Sequence, residues 1–303
     1  MSTYALDAVF RPESVAVVGA SPRERSVGRA VVRNLREAGF AGPVGLVNPK
    51  HRRIDGVAAV ARLADLPFRP DLVVVSTPPE TIPKVIAQAC QAGARAAVVI
   101  TAGLGQGPGS LLEQLREIAR PHGLRIVGPN GLGLMAPHVG LNVSFAAHSP
   151  LPGDLALVSQ SGAIAAGLVE WGRARSIGFS AVVSLGDAMD VDFGDLLDWF
   201  AQDPKTRAIL LYIESIGDAR KFMSAARAAA RAKPVVVVKS GRHAQGAKAA
   251  ATHTGALAGA DAVYDAAFRR AGLLRVLALD ELFAAAETLG HLRQAPGERL
   301  AIL

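Results

Sequence analysis

The chain has almost no cysteine: Cys90 is the only one in 303 residues. A single thiol cannot form an internal disulfide framework or a cysteine-based metal site, which excludes small secreted scaffolds and zinc modules. Cys90 falls within a helix-like stretch, residues 82–91, and reads as a small buried residue. Aromatic residues are also scarce, at 5%, too few for a base-stacking platform. Half of the residues are hydrophobic, yet no uninterrupted apolar run approaches the roughly 18 residues that span a bilayer. Residues 1–11 contain Asp7 and lack both a basic start and an apolar centre, so no signal peptide is expected. The expected compartment is the cytoplasm, with no membrane partner.

Charge of one sign is in modest excess, with a net value of +7. The basic residues are scattered; the densest groups are Arg23 with Arg25, and His51 with Arg52 and Arg53. That distribution suits anionic small molecules, not a nucleic-acid surface, so no nucleic-acid partner is expected. Six of the seven histidines (His51, His122, His138, His148, His243 and His291) stand at no metal-ligand spacing, and no metal site is expected.

What is present is alternation. Short β-branched runs at residues 15–18, 44–47, 72–75, 96–100 and 125–127 are separated by helical patterns at 27–38, 81–92 and 110–122. The runs are continuously apolar, as parallel strands are when both sheet faces are covered. A polar connection, residues 142–153, precedes a second series: strands at 155–158, 180–184, 208–213 and 234–239, and helices at 163–176, 192–201, 219–230, 261–271 and 280–292. The expected fold is α/β throughout. A Rossmann-like domain spans residues 1–145 and a flavodoxin-like domain spans 146–296, with parallel sheets and helices on both faces. Residues 297–303 read as the first strand of a further domain, because a lone strand needs partners.

Glycine and proline cluster just after the strand ends, where ligands bind in open α/β sheets. Gly19, Ala20 and Ser21 open a turn that reaches a helix start at Ser26, Val27 and Gly28, a phosphate-binding arrangement. At the end of the second strand the chain reads Asn48-Pro49-Lys50, where nicotinamide-binding domains usually carry an acid for the ribose 2′-hydroxyl. A lysine there favours a phosphorylated ribose, as in coenzyme A or NADP.

The second half carries a different constellation. His253 lies among small residues, between Lys248 and Gly259, with room for a covalent group on its imidazole. Ser159, Gln160, Ser161 and Gly162 form a strand-to-helix turn of the anion-binding kind, and Glu214 ends an apolar strand where a carboxylate needs a purpose. Ser159-Gln-Ser-Gly-Ala163 does not fit the serine nucleophile elbow.

Taken together, seven segments resemble the NDP-forming acyl-CoA synthetase superfamily, which includes succinyl-CoA synthetase. They are Ser14-Val-Ala-Val-Val-Gly-Ala-Ser21, Asn48-Pro49-Lys50, Ile100-Thr-Ala-Gly103, Gly128-Pro-Asn-Gly-Leu-Gly133, Val158-Ser-Gln-Ser-Gly162, Tyr212-Ile-Glu214 and Thr252-His-Thr-Gly255. The resemblance implies that the 19–28 turn, Asn48 and Lys50 take the CoA phosphates. Ser76, Thr77, Pro78, Ile100, Thr101 and Ala102 would line the pantetheine, and Asn130 would lie near the thiol. It implies a phosphohistidine at His253, oriented by Glu214 and received at residues 159–162 with Gly186. The implied activity converts a small carboxylic acid, CoA and ATP to acyl-CoA, ADP and phosphate. The nucleotide and Mg²⁺ are expected on an ATP-grasp domain or subunit, for which no residues are seen, and an oligomer is expected. One segment departs from the family pattern: Ser184-Leu-Gly-Asp-Ala-Met-Asp190 has Asp187 where asparagine is common, an anion expected to weaken phosphate binding. The alternative implied by the resemblance is an acyl-CoA-sensing module of a Gcn5-type protein lysine acetyltransferase.

Overall fold

Seven short strands of small and β-branched residues build the first sheet. They are β1 (Val15–Val18), β2 (Val44–Val47), β3 (Arg53–Ile54), β4 (Val57–Val60), β5 (Leu72–Val75), β6 (Ala96–Val99) and β7 (Arg125–Val127), in the order β3-β4-β2-β1-β5-β6-β7. The computed structural model describes residues 3–242 and 261–292. β1 pairs in parallel with β2 on one side and β5 on the other. Its side chains alternate between two cores, Val15 and Val17 in one, Ala16 and Val18 in the other. Helix Val27–Glu37 covers the first of these faces, and helices Ile82–Gln91 and Leu111–Ala119 cover the second. Burial on both sides is the reason the strand shows no polar alternation.

The second sheet also has seven strands: β8 (Leu134–Ala136), β9 (Leu141–Asn142), β10 (Leu151–Ser159), β11 (Gly178–Ser184), β12 (Ala208–Ile213), β13 (Val235–Lys239) and β14 (Leu274–Val276). Their order is β14-β13-β12-β10-β11-β8-β9. Helices Phe193–Gln202, Ala219–Ala232 and Asp261–Ala271 pack on one face, and Gly162–Ala174 and Leu279–His291 on the other. Both sheets therefore have the expected α/β form with helices on both faces.

Two departures from an all-parallel reading have a local cause. β3 and β4 form an antiparallel hairpin, and β8 and β9 pair antiparallel with each other, β8 also running antiparallel to β11. The β3–β4 and β8–β9 connections of a few residues leave no room for a crossover helix, so these two pairs can only run antiparallel. Sheet membership changes between Val127 and Leu134, ahead of the polar connection at 142–153.

The sheets share a core. Val15 and Val17 of β1 and Ala156 and Val158 of β10 belong to one continuous apolar cluster. Phe10 bridges the halves, stacking on Trp199 at 5.3 Å between ring centroids and meeting Phe200 edge-on at 5.1 Å. Arg125, at the start of β7, donates to Asp190 at 3.1 Å and to the buried Asp195 at 3.0 Å; Lys221 Nζ stands 2.6 Å from the same Asp195 carboxylate. Ser26, Ser110, Ser161, Asp192 and Asp218 each cap a helix by accepting from the N–H three residues on, about 1 kcal/mol apiece. Among the described residues, no helix is long and apolar enough to cross a membrane.

Candidate ligand-binding site between the two sheets

The strand order places a switch point at the carboxyl end of the central strand of each sheet: β1 between β2 and β5, and β10 between β11 and β12. Crevices open at such points because the flanking connections leave in opposite directions. Here the two crevices meet in one cavity of about 930 Å³.

The first wall comes from loops that follow β1, β5, β6 and β7. Gly19 has φ +94°, and a Cβ there would stand 2.9 Å from the Ser76 carbonyl; one at Gly28 would stand 2.0 Å from the Gly19 oxygen. The turn, the Ser76 loop and the helix start are thus in contact, and only glycine fits at both places. Asn48 Nδ2 donates to the Ala20 carbonyl at 2.7 Å, and Asn48 Oδ1 accepts from the Lys50 N–H at 2.7 Å. Thr101 Oγ1 donates to the Thr77 carbonyl at 2.7 Å, and the Asn130 N–H donates to the Thr101 carbonyl at 3.1 Å. Three carboxyl-end loops are therefore hydrogen-bonded into one surface.

The second wall is the 159–162 turn with the ends of β11 and β12. Ser159 is fully buried; its hydroxyl donates to the Ser161 carbonyl at 2.7 Å and accepts from the Ser161 N–H at 3.1 Å. Ser161 caps helix Gly162–Ala174 through the Ile164 N–H. The N–H groups of Gly162 and Ala163 precede any intrahelical acceptor and stand in the cavity wall, as an anion site requires. Gln160 Oε1 accepts from the N–H groups of Glu214 (2.7 Å) and Ser215 (2.9 Å), which fixes the end of β12 against the turn. Gly186 packs on Pro129 and Asn130, and the Asn130 amide donates to Asp187 at 3.1 Å across the cavity's junction.

The cavity brings together Val27, Ser76, Thr77, Pro78, Ile100, Thr101, Ala102 and Asn130 with Gln160, Ser161, Gly162, Gly186 and Glu214. Gly19, Ala20, Ser21, Gly28 and Ser159 do not line it; Ala20, Ser21 and Ser159 are buried, and Gly19 packs on Ser76 of the wall. Ser26 lines an adjoining cavity of about 610 Å³ with Arg25, Arg29 and Arg33. Asn48 and Lys50 line neither; Lys50 is exposed at the turn that Asn48 holds. His253, with its whole Thr252–Gly255 motif, lies outside the described residues, as do residues 297–303.

The charge along the site is polarised. Arginines 23, 25, 29 and 33 outnumber Glu24 and Asp55 at the first-domain end, where Arg29 pairs with Asp55 at 3.0 Å, whereas Asp187 and Glu214 stand at the other. Lys239, at the carboxyl end of β13, is 5% exposed and pairs in register with Ile213, next to Glu214. Its Nζ donates to the Ser240 carbonyl at 2.5 Å and lies 4.7 Å from the Tyr264 ring centroid. Burial pulls this ammonium below the ordinary lysine range, partly offset by Asp261 and Glu214. Burial likewise pushes the Tyr212 hydroxyl up. Lys239 and Phe145, the latter lining both cavities, are functional candidates that the fold brings forward. A lysine closing the run Val235–Val238 carries the same signal that picked out Glu214, and an aromatic in a polar connection of an aromatic-poor chain is also a signal.

Residues 13–137 match a family model described as a CoA binding domain, and residues 152–289 match one described as a succinyl-CoA ligase like flavodoxin domain. The chain is 40% identical over 305 residues to the acetate–CoA ligase [ADP-forming] I subunit alpha of Pyrococcus furiosus, covering 98% of this chain and 66% of that protein. It is 37% identical over 282 residues to the 4-hydroxybutyrate–CoA ligase [ADP-forming] of Nitrosopumilus maritimus, covering 91% of this chain and 40% of that one. Among solved structures it resembles the dinucleotide forming acetyl-coenzyme A synthetase 1 of Ca. Korarchaeum cryptofilum, in complex with phosphate and ADP. The TM-score is 0.92 at 37% identity, over 99% of this chain and 65% of that one. The chain spans about two thirds or less of the length of these relatives.

Proposed function

The chain belongs to the NDP-forming acyl-CoA synthetase superfamily, and from that premise we propose that it is the CoA-binding and phosphoryl-carrying part of an ADP-forming acid–thiol ligase. The observation that carries this reading is the cavity in which the switch points of both sheets meet. A cofactor-binding domain alone needs one such crevice. Two of them, one arginine-bearing and one built on the first turn of a helix, suit a reaction that moves an acyl group between CoA and phosphate.

In this reading residues 1–145 hold CoA and residues 146–296 carry the phosphoryl relay. Written in the acyl-CoA-consuming direction of this reversible reaction, hydrogen phosphate held by the N–H groups of residues 162–163 attacks the carbonyl of acyl-CoA, the carbon–sulfur bond breaks, and CoA takes the phosphate's proton and leaves as the thiol with acyl phosphate formed. His253 then takes the phosphoryl group from the acyl phosphate, releasing the carboxylate, and passes it to ADP. Glu214 orients the imidazole and stabilises its charge. The nucleotide and its Mg²⁺ are assigned to an ATP-grasp domain or partner subunit, in a cytoplasmic, oligomeric enzyme.

The test uses the chain itself. Incubation with ³²P-labelled acetyl phosphate should label it in an acid-labile, base-stable form, and His253→Ala should abolish the label. Label retained in His253→Ala, or none in the parent chain, would overturn the relay.

A further inference from the structure

Among the described residues, Phe145 is the one large apolar side chain that lines either cavity and is still exposed, at 41%, and it lines both. An exposed ring forfeits the stabilisation that burial gives it. The backbone around it is nevertheless held with unusual completeness. Its neighbours Ser144 and Ala146 are buried. Asn34, 3% exposed, donates from its side-chain amide to the Ser144 carbonyl at 2.9 Å and to the Ala146 carbonyl at 2.8 Å. These are the carbonyls of the residues on either side of Phe145. The Phe145 N–H donates to the Leu132 carbonyl at 3.2 Å, and the Ser144 hydroxyl donates to Asn142 Oδ1 at 2.7 Å. Asn34 Oδ1 in turn accepts from the Arg33 guanidinium at 3.1 and 3.2 Å. One buried amide therefore ties together an arginine of the smaller cavity and the position of the ring.

The two cavities differ in chemistry on either side of that ring. The smaller has Arg25, Arg29 and Arg33 around a helix start, with Glu24 and with Asp55 paired to Arg29 at 3.0 Å, and its net positive lining suits phosphates. The larger is lined by Ala146, Ala147, Ala163 and Ala166 beside Arg23, Asp187 and Glu214, and its apolar stretch suits a slender neutral chain. We propose that Phe145 is a specificity-determining residue. Its ring packs against the pantetheine arm of CoA where the arm passes from the arginine-lined cavity, which holds the nucleotide end, into the cavity between the sheets.

This inference rests on the CoA reading, and calorimetry on the whole chain separates the two. CoA, pantetheine 4′-phosphate and adenosine 3′,5′-bisphosphate are titrated into the parent chain, Phe145→Ala and Phe145→Leu. The ring is exposed, so Phe145→Ala should melt at the parent temperature. It should bind CoA about tenfold more weakly, the loss expected for stripping the ring's contacts from a ligand. Pantetheine 4′-phosphate should weaken with it, Phe145→Leu should recover most of the loss, and adenosine 3′,5′-bisphosphate should stay within about twofold. Unchanged CoA affinity in Phe145→Ala, beside a parent chain that binds CoA, would overturn the role of Phe145 and leave the CoA reading standing. An equal loss for adenosine 3′,5′-bisphosphate would overturn the assignment to the arm. A parent chain that binds no CoA would remove the reading beneath both.

Discussion

The two strand-to-helix turns of this protein occupy the same place in their sheets and are built in different ways. The 19–28 turn is closed on itself: a Cβ at Gly28 would meet the Gly19 carbonyl oxygen at 2.0 Å, and one at Gly19 would meet the Ser76 backbone at 2.9 Å. The 159–162 turn is held by side chains instead, through the Ser159 hydroxyl and the Gln160 amide, and a Cβ at Gly162 would meet nothing nearer than Leu132 Cβ at 3.2 Å. Arginines outnumber Glu24 and Asp55 around the first turn, while Asp187 and Glu214 accompany the second. Backbone packing makes the first turn rigid. Side-chain bonding leaves Gly162 and Ala163 in the cavity wall, where first-turn N–H groups suit the anion of the proposed relay.

Substitution of the glycines gives the largest expected contrast. Gly28→Ala forces backbone against backbone and should cost about 3 kcal/mol or more, or prevent folding. Gly162→Ala should stay within about 1 kcal/mol. Urea denaturation monitored by circular dichroism measures both, and equal losses would erase the distinction between the turns.

Charge gives the next contrast. Asp187→Asn removes an anion near the second turn and should tighten phosphate binding about threefold, read by calorimetry, while leaving CoA affinity unchanged. Arg25→Glu, in the smaller cavity, should do the reverse and weaken CoA more than dephospho-CoA; equal losses would mean that this cavity does not take the 3′-phosphate.

The smallest effect concerns two lysines with opposite shifts. Burial alone would pull the Lys221 ammonium down, but its bonds to Asp195 and Asp192 outweigh that and raise it above the ordinary 10.5. Its contribution to stability is complete below 10.5 and is lost as pH rises through the folded value. Lys239 is lowered, mainly by burial, so its charged form opposes folding, and that penalty lifts as pH rises from the folded value to 10.5. Lys221→Met should therefore differ most from the parent below pH 10.5 and converge with it in alkali. With rising pH the parent should gain on Lys239→Met. Each effect is expected at about 1 kcal/mol or less in denaturation curves taken across alkaline pH, and slopes of the same sign would contradict the contrast.

The periodicity of the sequence made the central strands and their helices legible, because strands buried on both faces read as plain apolar runs. β1, β2, β5, β7 and β12 begin and end where the runs do. The hairpin of β3 and β4 and the strands β8, β9 and β14 were not legible: β3 and β9 have two residues each, too few to show a period, β4 and β14 are not buried on both faces, and β8 sits among Gly131, Gly133 and Gly140. At the site, glycine turns and strand-end carboxylates were visible as local patterns. The roles of Asn34 and Phe145 were not, since a bond across 110 residues of sequence leaves no spacing to read. Lys50 shows the converse, a legible charge that the fold places at the rim of the turn and outside both cavity walls.

The central claim is that the polarised cavity holds one CoA across both sheets. Its most direct test is isothermal titration of the chain with CoA, repeated in the presence of saturating NADPH. Saturable one-to-one binding that NADPH leaves unchanged is the expected result. Absence of CoA binding, or its displacement by NADPH, would contradict the claim.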